Sequence, residues 1–131
     1  MELSISNHLT VSELKEQFAF YFPFLKLEFF MYPHETFARS GFEEKADDGL
    51  LLSELAQELK QGKFWFEGFT TVAEFEQRLQ EEHNLPVQVF RRSRDLWLET
   101  CQTDNLTLKQ QNAMGEASTR RQSFNLHTLF L

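Results

Sequence analysis

Four histidines, one cysteine and a trio of arginines are the residues of this chain with the most chemical scope. His8, His34, His83 and His127 have no histidine three or four positions away, the spacing that sets two imidazoles on one helix face for a metal. His34-Glu35 opens like a zinc-protease helix motif, but Ala38 stands where the second histidine belongs, and Pro33 opposes a helix there. Asp47-Asp48, with Glu43 and Glu44, would attract a divalent cation, yet the alternating oxygen ligands and central glycine of a calcium loop are missing. No metal site and no cofactor are expected.

Catalytic sets fare no better. Cys101 is a lone thiol with Glu99 before it, Asp104 after it and no neighbouring cation in sequence to lower its pKa. No Gly-x-Ser-x-Gly turn occurs, and the 5 glycines do not cluster into a phosphate-cradling loop. Glu13, Glu16, Glu43, Glu44, Glu74, Glu76, Glu81 and Glu82 fall mostly on predicted helix exteriors or at caps. Glu43-Glu44-Lys45 resembles a nuclease carboxylate–lysine element, but the first aspartate of the chain is Asp47, so the upstream ligand is lacking. The chain is therefore expected not to be an enzyme. An enzyme or enzyme subunit with a pocket that sequence does not reveal is the third reading.

Arg91, Arg92 and Arg94 cluster at a predicted turn between two strands, with Phe90 and Trp97 on either side. A sheet face carrying Phe30, Trp65, Phe90 and Trp97 beside this basic turn would suit unpaired bases. Arg91, Arg92, Arg94, Trp97, Trp65 and Phe30 are thus the candidate interaction residues, and a single-stranded nucleic-acid-binding domain is the second reading. Against it stands a net charge of −7, which repels polyanions.

The elements that must position these residues repeat. Thr10-Val11-Ser12-Glu13-Leu14 reappears as Thr71-Val72-Ala73-Glu74-Phe75. In each copy the threonine and glutamate stand at capping-box spacing. Val11, Leu14, Phe18 and Phe22 follow at helical spacing in the first copy, and Val72, Phe75 and Leu79 in the second. Pro23 ends the first helix, and Asn84 with Pro86 ends the second. Short alternating stretches flank each helix: Leu3/Ile5 and Leu25/Leu27/Phe29 in the first copy, Phe64/Phe66 and Val87/Val89 in the second. Leu96 to Thr100 reads as a further strand, with a weaker counterpart around Phe42-Glu43 after a long loop, Tyr32 to Ser40.

Asp48-Gly49-Leu50-Leu51-Leu52 then matches Asp104-Asn105-Leu106-Thr107-Leu108. A helix is expected over 51–60, and a shorter one from the Thr107/Gln110 box to about Asn112. The fold expected is α+β, with two related strand-helix-strand-strand-helix units, 1–62 and 63–112, around one shared core with a mixed sheet and pseudo-two-fold symmetry. Residues 113–131 are expected to be a mobile polar tail ending in an apolar segment, Phe124 to Leu131.

Composition agrees with a soluble domain. The 15 phenylalanines against 2 tyrosines and 2 tryptophans point to an aromatic core, because phenylalanine has no polar handle for a wet surface. Met1-Glu2-Leu3-Ser4 is no secretory leader, no apolar run reaches the roughly 18 residues of a membrane span, and a lone cysteine suits a reducing compartment. A cytoplasmic location is expected. Apolar residues fall on both sides of several strands, such as Leu96, Trp97 and Leu98, which a sheet with one wet face should not show. The leading expectation is therefore a small acidic protein-interaction module with a protein partner or self-association as a homodimer, no membrane, and nucleic acid as the lesser alternative.

Overall fold

The computed structural model describes residues 1–31 and 44–129, with side chains to residue 120. The Tyr32–Ser40 loop, the Phe42-Glu43 strand and the apolar side chains of Phe124–Leu131 lie outside the described residues, as do the side chains of His34 and His127.

The described chain is α+β, with four α-helices and two small antiparallel sheets. Its order is β1 (Glu2–Ile5), α1 (Val11–Tyr21), β2 (Leu25–Phe29), α2 (Leu52–Leu55), β3 (Gly62–Trp65), α3 (Val72–His83), β4 (Val87–Ser93), β5 (Leu96–Glu99), a 3-10 turn (Cys101–Thr103) and α4 (Leu108–Leu129). β1 pairs with β3, and the second sheet runs β2-β4-β5; every described pairing is antiparallel, so the expected mixed sheet is corrected to two antiparallel ones.

α1 starts at a complete capping box. The Glu13 amide donates to the Thr10 hydroxyl at 3.1 Å and the Thr10 amide to the Glu13 carboxylate at 2.9 Å, satisfying two otherwise orphaned donors. The Thr10 amide and the Thr10 hydroxyl, donating to the Glu13 carboxylate at 2.9 and 3.0 Å, hold that carboxyl below the usual range. At α3 one half of the box forms, the Glu74 amide donating to Thr71 at 3.2 Å. α3 ends on Asn84 in the left-handed conformation, φ 61°, a common helix stop.

Each of these helix starts is docked on a later segment by the same pattern of backbone bonds. The Val11 and Ser12 amides donate to Leu50 and Asp48, while the Leu52 amide returns to Leu9. The Val72 and Ala73 amides donate to Leu106 and Asp104, while the Leu108 amide returns to Thr70. Thr10 bridges Leu51, and Thr71 bridges Thr107.

The apolar faces converge on one core. Val11, Leu14 and Phe18 of α1 and Val72, Phe75 and Leu79 of α3 are buried with Leu3, Leu25, Leu27, Phe29, Phe64, Val89 and Leu108. Phe18 lies 5.2 Å from Phe75, which lies 5.2 Å from Phe66 (ring centres), distances at which tilted rings attract. The aromatic core is present, although Phe20 and Phe69 stand exposed.

Two helices depart from expectation. The helix over 51–60 closes after one turn: Ala56 is already extended, with φ −126°. The chain then crosses to the end of α3, where Asn84 Nδ2 donates to the Glu58 carbonyl at 2.6 Å and the Lys60 amide to the His83 carbonyl at 3.3 Å. These bonds to α3 replace the helical bonds that Leu52, Leu55 and Leu59 would otherwise support. Conversely, α4 begins at the expected Thr107/Gln110 box, with bonds of 2.9 and 3.0 Å, but passes Asn112 and stays helical to Leu129.

Gly115 explains why α4 can lie so close to the second sheet. A Cβ there would come within 3.0 Å of Phe24 and 3.2 Å of Arg91. The Asn112 side chain fixes the same approach by accepting the Phe24 amide at 2.8 Å. Beyond it, Glu116 and Arg120 pair at 2.6 Å, the i,i+4 support that a polar helix uses. No described helix is long and apolar enough to cross a membrane.

Candidate functional site

The three-stranded sheet collects most of the candidate residues. Its register sets Lys26 beside Phe90, Leu27 beside Val89 and Arg92 beside Trp97. Strand alternation then sends Leu25, Leu27, Phe29 and Val89 into the core, and Lys26, Glu28, Phe90, Arg92 and Trp97 to the opposite face. Phe30 follows the same alternation at the end of β2 and bridges Lys45.

Glu28 anchors this outer face. It is buried and accepts Lys15 at 2.8 Å and Lys26 at 3.0 Å, with Lys45 at 3.8 Å. Lys15 also meets Asp48 at 2.9 Å. Burial pushes the Glu28 carboxyl up, but the bonds and charges of Lys15 and Lys26 outweigh it, so the carboxyl sits below its ordinary range. Burial likewise lowers Lys15, and Glu28 with Asp48 more than restores it, leaving that ammonium above its usual value. The ring of Phe90, 6% exposed, lies beneath the lysine ammonium groups, whose stems can cover apolar surface.

The predicted residues separate across the molecule. Arg92 lies over Trp97 and donates from Nε to the Arg94 carbonyl. Arg94 occupies the two-residue turn with φ 60° and is exposed. Arg91 points the other way, donating to Gln111 of α4 at 3.0 Å and contacting the Met114 sulfur at 3.7 Å. Trp65 belongs to the other sheet and is 61% exposed, its carbonyl accepting Arg78 at 2.7 Å. The arginine trio is thus split between the two faces of one hairpin, and Trp65 does not share the face of Trp97.

The α4 side of the hairpin is apolar and uncovered at its edge. Leu96 is 62% exposed, Leu98 40% and Met114 42%. β5 is the last strand of its sheet. Because Ser93 and Leu96 close a two-residue turn, the alternating ladder directs the backbone groups of Trp97 and Glu99 away from β4.

A second carboxylate sits where that ladder ends. Val89 lies one residue beyond the last β4–β5 pair, Phe90 with Glu99. Its amide donates to Glu76 of α3 at 2.8 Å, and its carbonyl accepts the Thr100 hydroxyl at 2.8 Å. Burial pushes the Glu76 carboxyl up to about 7; the Val89 amide opposes this and the charge of Asp104 adds to it. Glu76 is thus an exception among the carboxylates expected mostly on helix exteriors or at caps. The signal was present, since Glu76 stands four residues after Val72 and three before Leu79, inside the apolar stripe.

The other reactive side chains are held by ordinary structural contacts. His83 is buried, its Nδ1 bonded to the Lys60 carbonyl and its ring against Phe64. Cys101 is exposed, with its sulfur 3.8 Å from a Glu99 oxygen. Among the described residues no three His, Cys, Asp or Glu side chains converge as a metal site would require. Sequence reasoning missed Lys26, Lys45 and Glu28, although the alternation of Lys26 and Glu28 with Leu25, Leu27 and Phe29 had placed the first and third on an outer strand face. No family model, curated protein or solved structure matches the chain.

Proposed function

We propose that this protein is a non-enzymatic, cytoplasmic protein-interaction module that self-associates through the free edge of β5. The observation that carries the reading is the exposure of Leu96 and Leu98 on that edge, next to Met114. Exposed apolar edge strands invite pairing with another chain.

A second copy fits the edge by symmetry. Antiparallel β5–β5 pairing about a two-fold at Trp97 sets Leu96 opposite the partner's Leu98, and Trp97 opposite its own copy. A two-fold interface is self-complementary in this way, and the outward backbone groups of Trp97 and Glu99 become the bonding pairs. The same register sets Asp95 against the partner's Glu99, and like charges directly opposite destabilise a pair. The dimer is accordingly weak and tightens as salt rises, because screening weakens that repulsion. Light scattering across protein concentration and salt tests this. A mass rising toward the dimer, more readily at high salt and not at all in Leu98→Lys, supports the reading; a constant monomer mass rejects it.

We also propose that the scaffold is one plan used twice. What supports it is the matched docking of the Thr10 and Thr71 helix starts on Asp48–Leu52 and Asp104–Leu108. In addition Leu3 faces Phe64 across β1 and β3, and these two residues are separated by the same interval as Thr10 and Thr71. Equivalent residues face one another where an antiparallel pair is crossed by a two-fold axis. The differences between the halves then fall at Tyr32–Ser40 and at the β4–β5 hairpin, where the proposed interface lies.

A further inference from the structure

The outer face of β2-β4-β5 carries an alternating series of cations and rings. Lys45 Nζ lies 5.0 Å from the Phe90 ring centre, and Lys26 Nζ lies 5.9 Å from Phe90 and 5.0 Å from Trp97. The Arg92 guanidinium carbon lies 5.4 Å from the Trp97 ring centre. All four contacts fall within reach of a cation–π attraction, which holds long cationic side chains at fixed places.

These cations are not all neutralised. Glu28 holds Lys26 and Lys15 closely, but stands 3.8 Å from Lys45, which is half exposed. Among the described residues no carboxylate pairs with Arg92. Trp97 is half-buried, with Lys26 and Arg92 over its ring, whereas Phe90 is covered and serves as a spacer.

We propose that this face binds a short single-stranded nucleic acid, with phosphates at Lys45 and Arg92 and a base against Trp97. Interleaved rings favour this ligand over an acidic peptide, whose carboxylates need cations and no stacking platform. The net charge of −7 does not forbid it. At physiological salt, charges more than about 8 Å away are largely screened, so the local row governs contact. The site is on the face opposite Met114; because Trp97 also stands at the proposed two-fold, the titration is run at a protein concentration where light scattering gives a monomer mass.

The test uses the full chain carrying Trp65→Phe, so that Trp97 is the sole tryptophan and is excited selectively over the 2 tyrosines, titrated with oligothymidylate and oligouridylate. The expected result is quenching at about 50 mM salt, with affinity falling roughly 7-fold by about 200 mM, as two phosphate contacts to a single strand predict. Arg92→Gln and Lys45→Gln, with far-ultraviolet circular dichroism unchanged, each lower the salt slope by about 0.7. Absence of quenching at low salt overturns the proposal. So does equal binding by both variants, or displacement of the oligonucleotide by poly-glutamate at matched charge, which assigns the face to acidic proteins instead.

Discussion

Glu76 makes the stability of this fold pH-dependent in a direction opposite to that of most carboxylates. Its pKa rises from the ordinary carboxylate value of 4.5 to about 7 on folding. The folded state therefore holds a proton that the unfolded state has released, and stability is fully present below about pH 4.5 and is lost as pH rises through about 7. At about 1.4 kcal/mol per unit, the shift corresponds to a loss of about 3.5 kcal/mol at most, a sizeable part of the roughly 5–15 kcal/mol typical of a domain.

Glu76→Gln retains an oxygen to accept the Val89 amide and removes the titration. Urea unfolding followed by circular dichroism, from pH 4.5 to pH 8, is the assay. The wild type should lose stability relative to Glu76→Gln across that range, by up to about 3.5 kcal/mol. Subtracting the variant curve cancels the histidines, which titrate in the same window. Parallel curves for the two proteins would refute the argument that burial holds this carboxyl neutral. Asp104→Asn supplies a second reading: with that charge removed, the midpoint of the loss should move to lower pH.

Three further outcomes follow from the packing. Thr10→Ala should cost about 1 kcal/mol of stability in urea unfolding, and Thr71→Ala less, because α1 has both halves of its box and α3 one. Gly115→Ala should cost about 1–3 kcal/mol, since the added Cβ meets Phe24 at 3.0 Å; an unchanged melting temperature would remove the close approach of α4. Glu28→Gln should destabilise the protein at neutral pH and narrow its acid sensitivity. The wild-type contribution of Glu28 is present above about 4.5, the unfolded value, and is lost as pH falls through the lowered folded value.

What was legible in the sequence was local. The capping pair at Thr10/Glu13, the stop at Asn84 and the alternation around Leu27 and Val89 each act within a few residues, so they located α1, α3, β2 and β4. The length of α2 was not legible, because Leu52, Leu55 and Leu59 keep helical spacing while the backbone is diverted by Asn84 and His83 from elsewhere in the chain. The extent of α4 was hidden for the converse reason. Its polar residues show no stripe, and the role of Gly115 depends on Phe24. The candidate face was half visible. Trp97 and Arg92 are hairpin neighbours, but Lys26 and Lys45 reach them only through the β2–β4 register, and Arg91 was lost to α4 by the same alternation that exposes Arg92.

The most direct test of the proposed interface is a cross-link at its axis. Trp97→Cys in a Cys101→Ser background gives each copy a single thiol at the two-fold, where a bonded antiparallel pair separates Cα atoms by about 5.5 Å, within disulfide range. Mild oxidation should give a covalent dimer rapidly, and much faster than Phe69→Cys in the same background, whose exposed site lies in a turn away from β5. Equal, slow cross-linking of both variants would contradict pairing at β5.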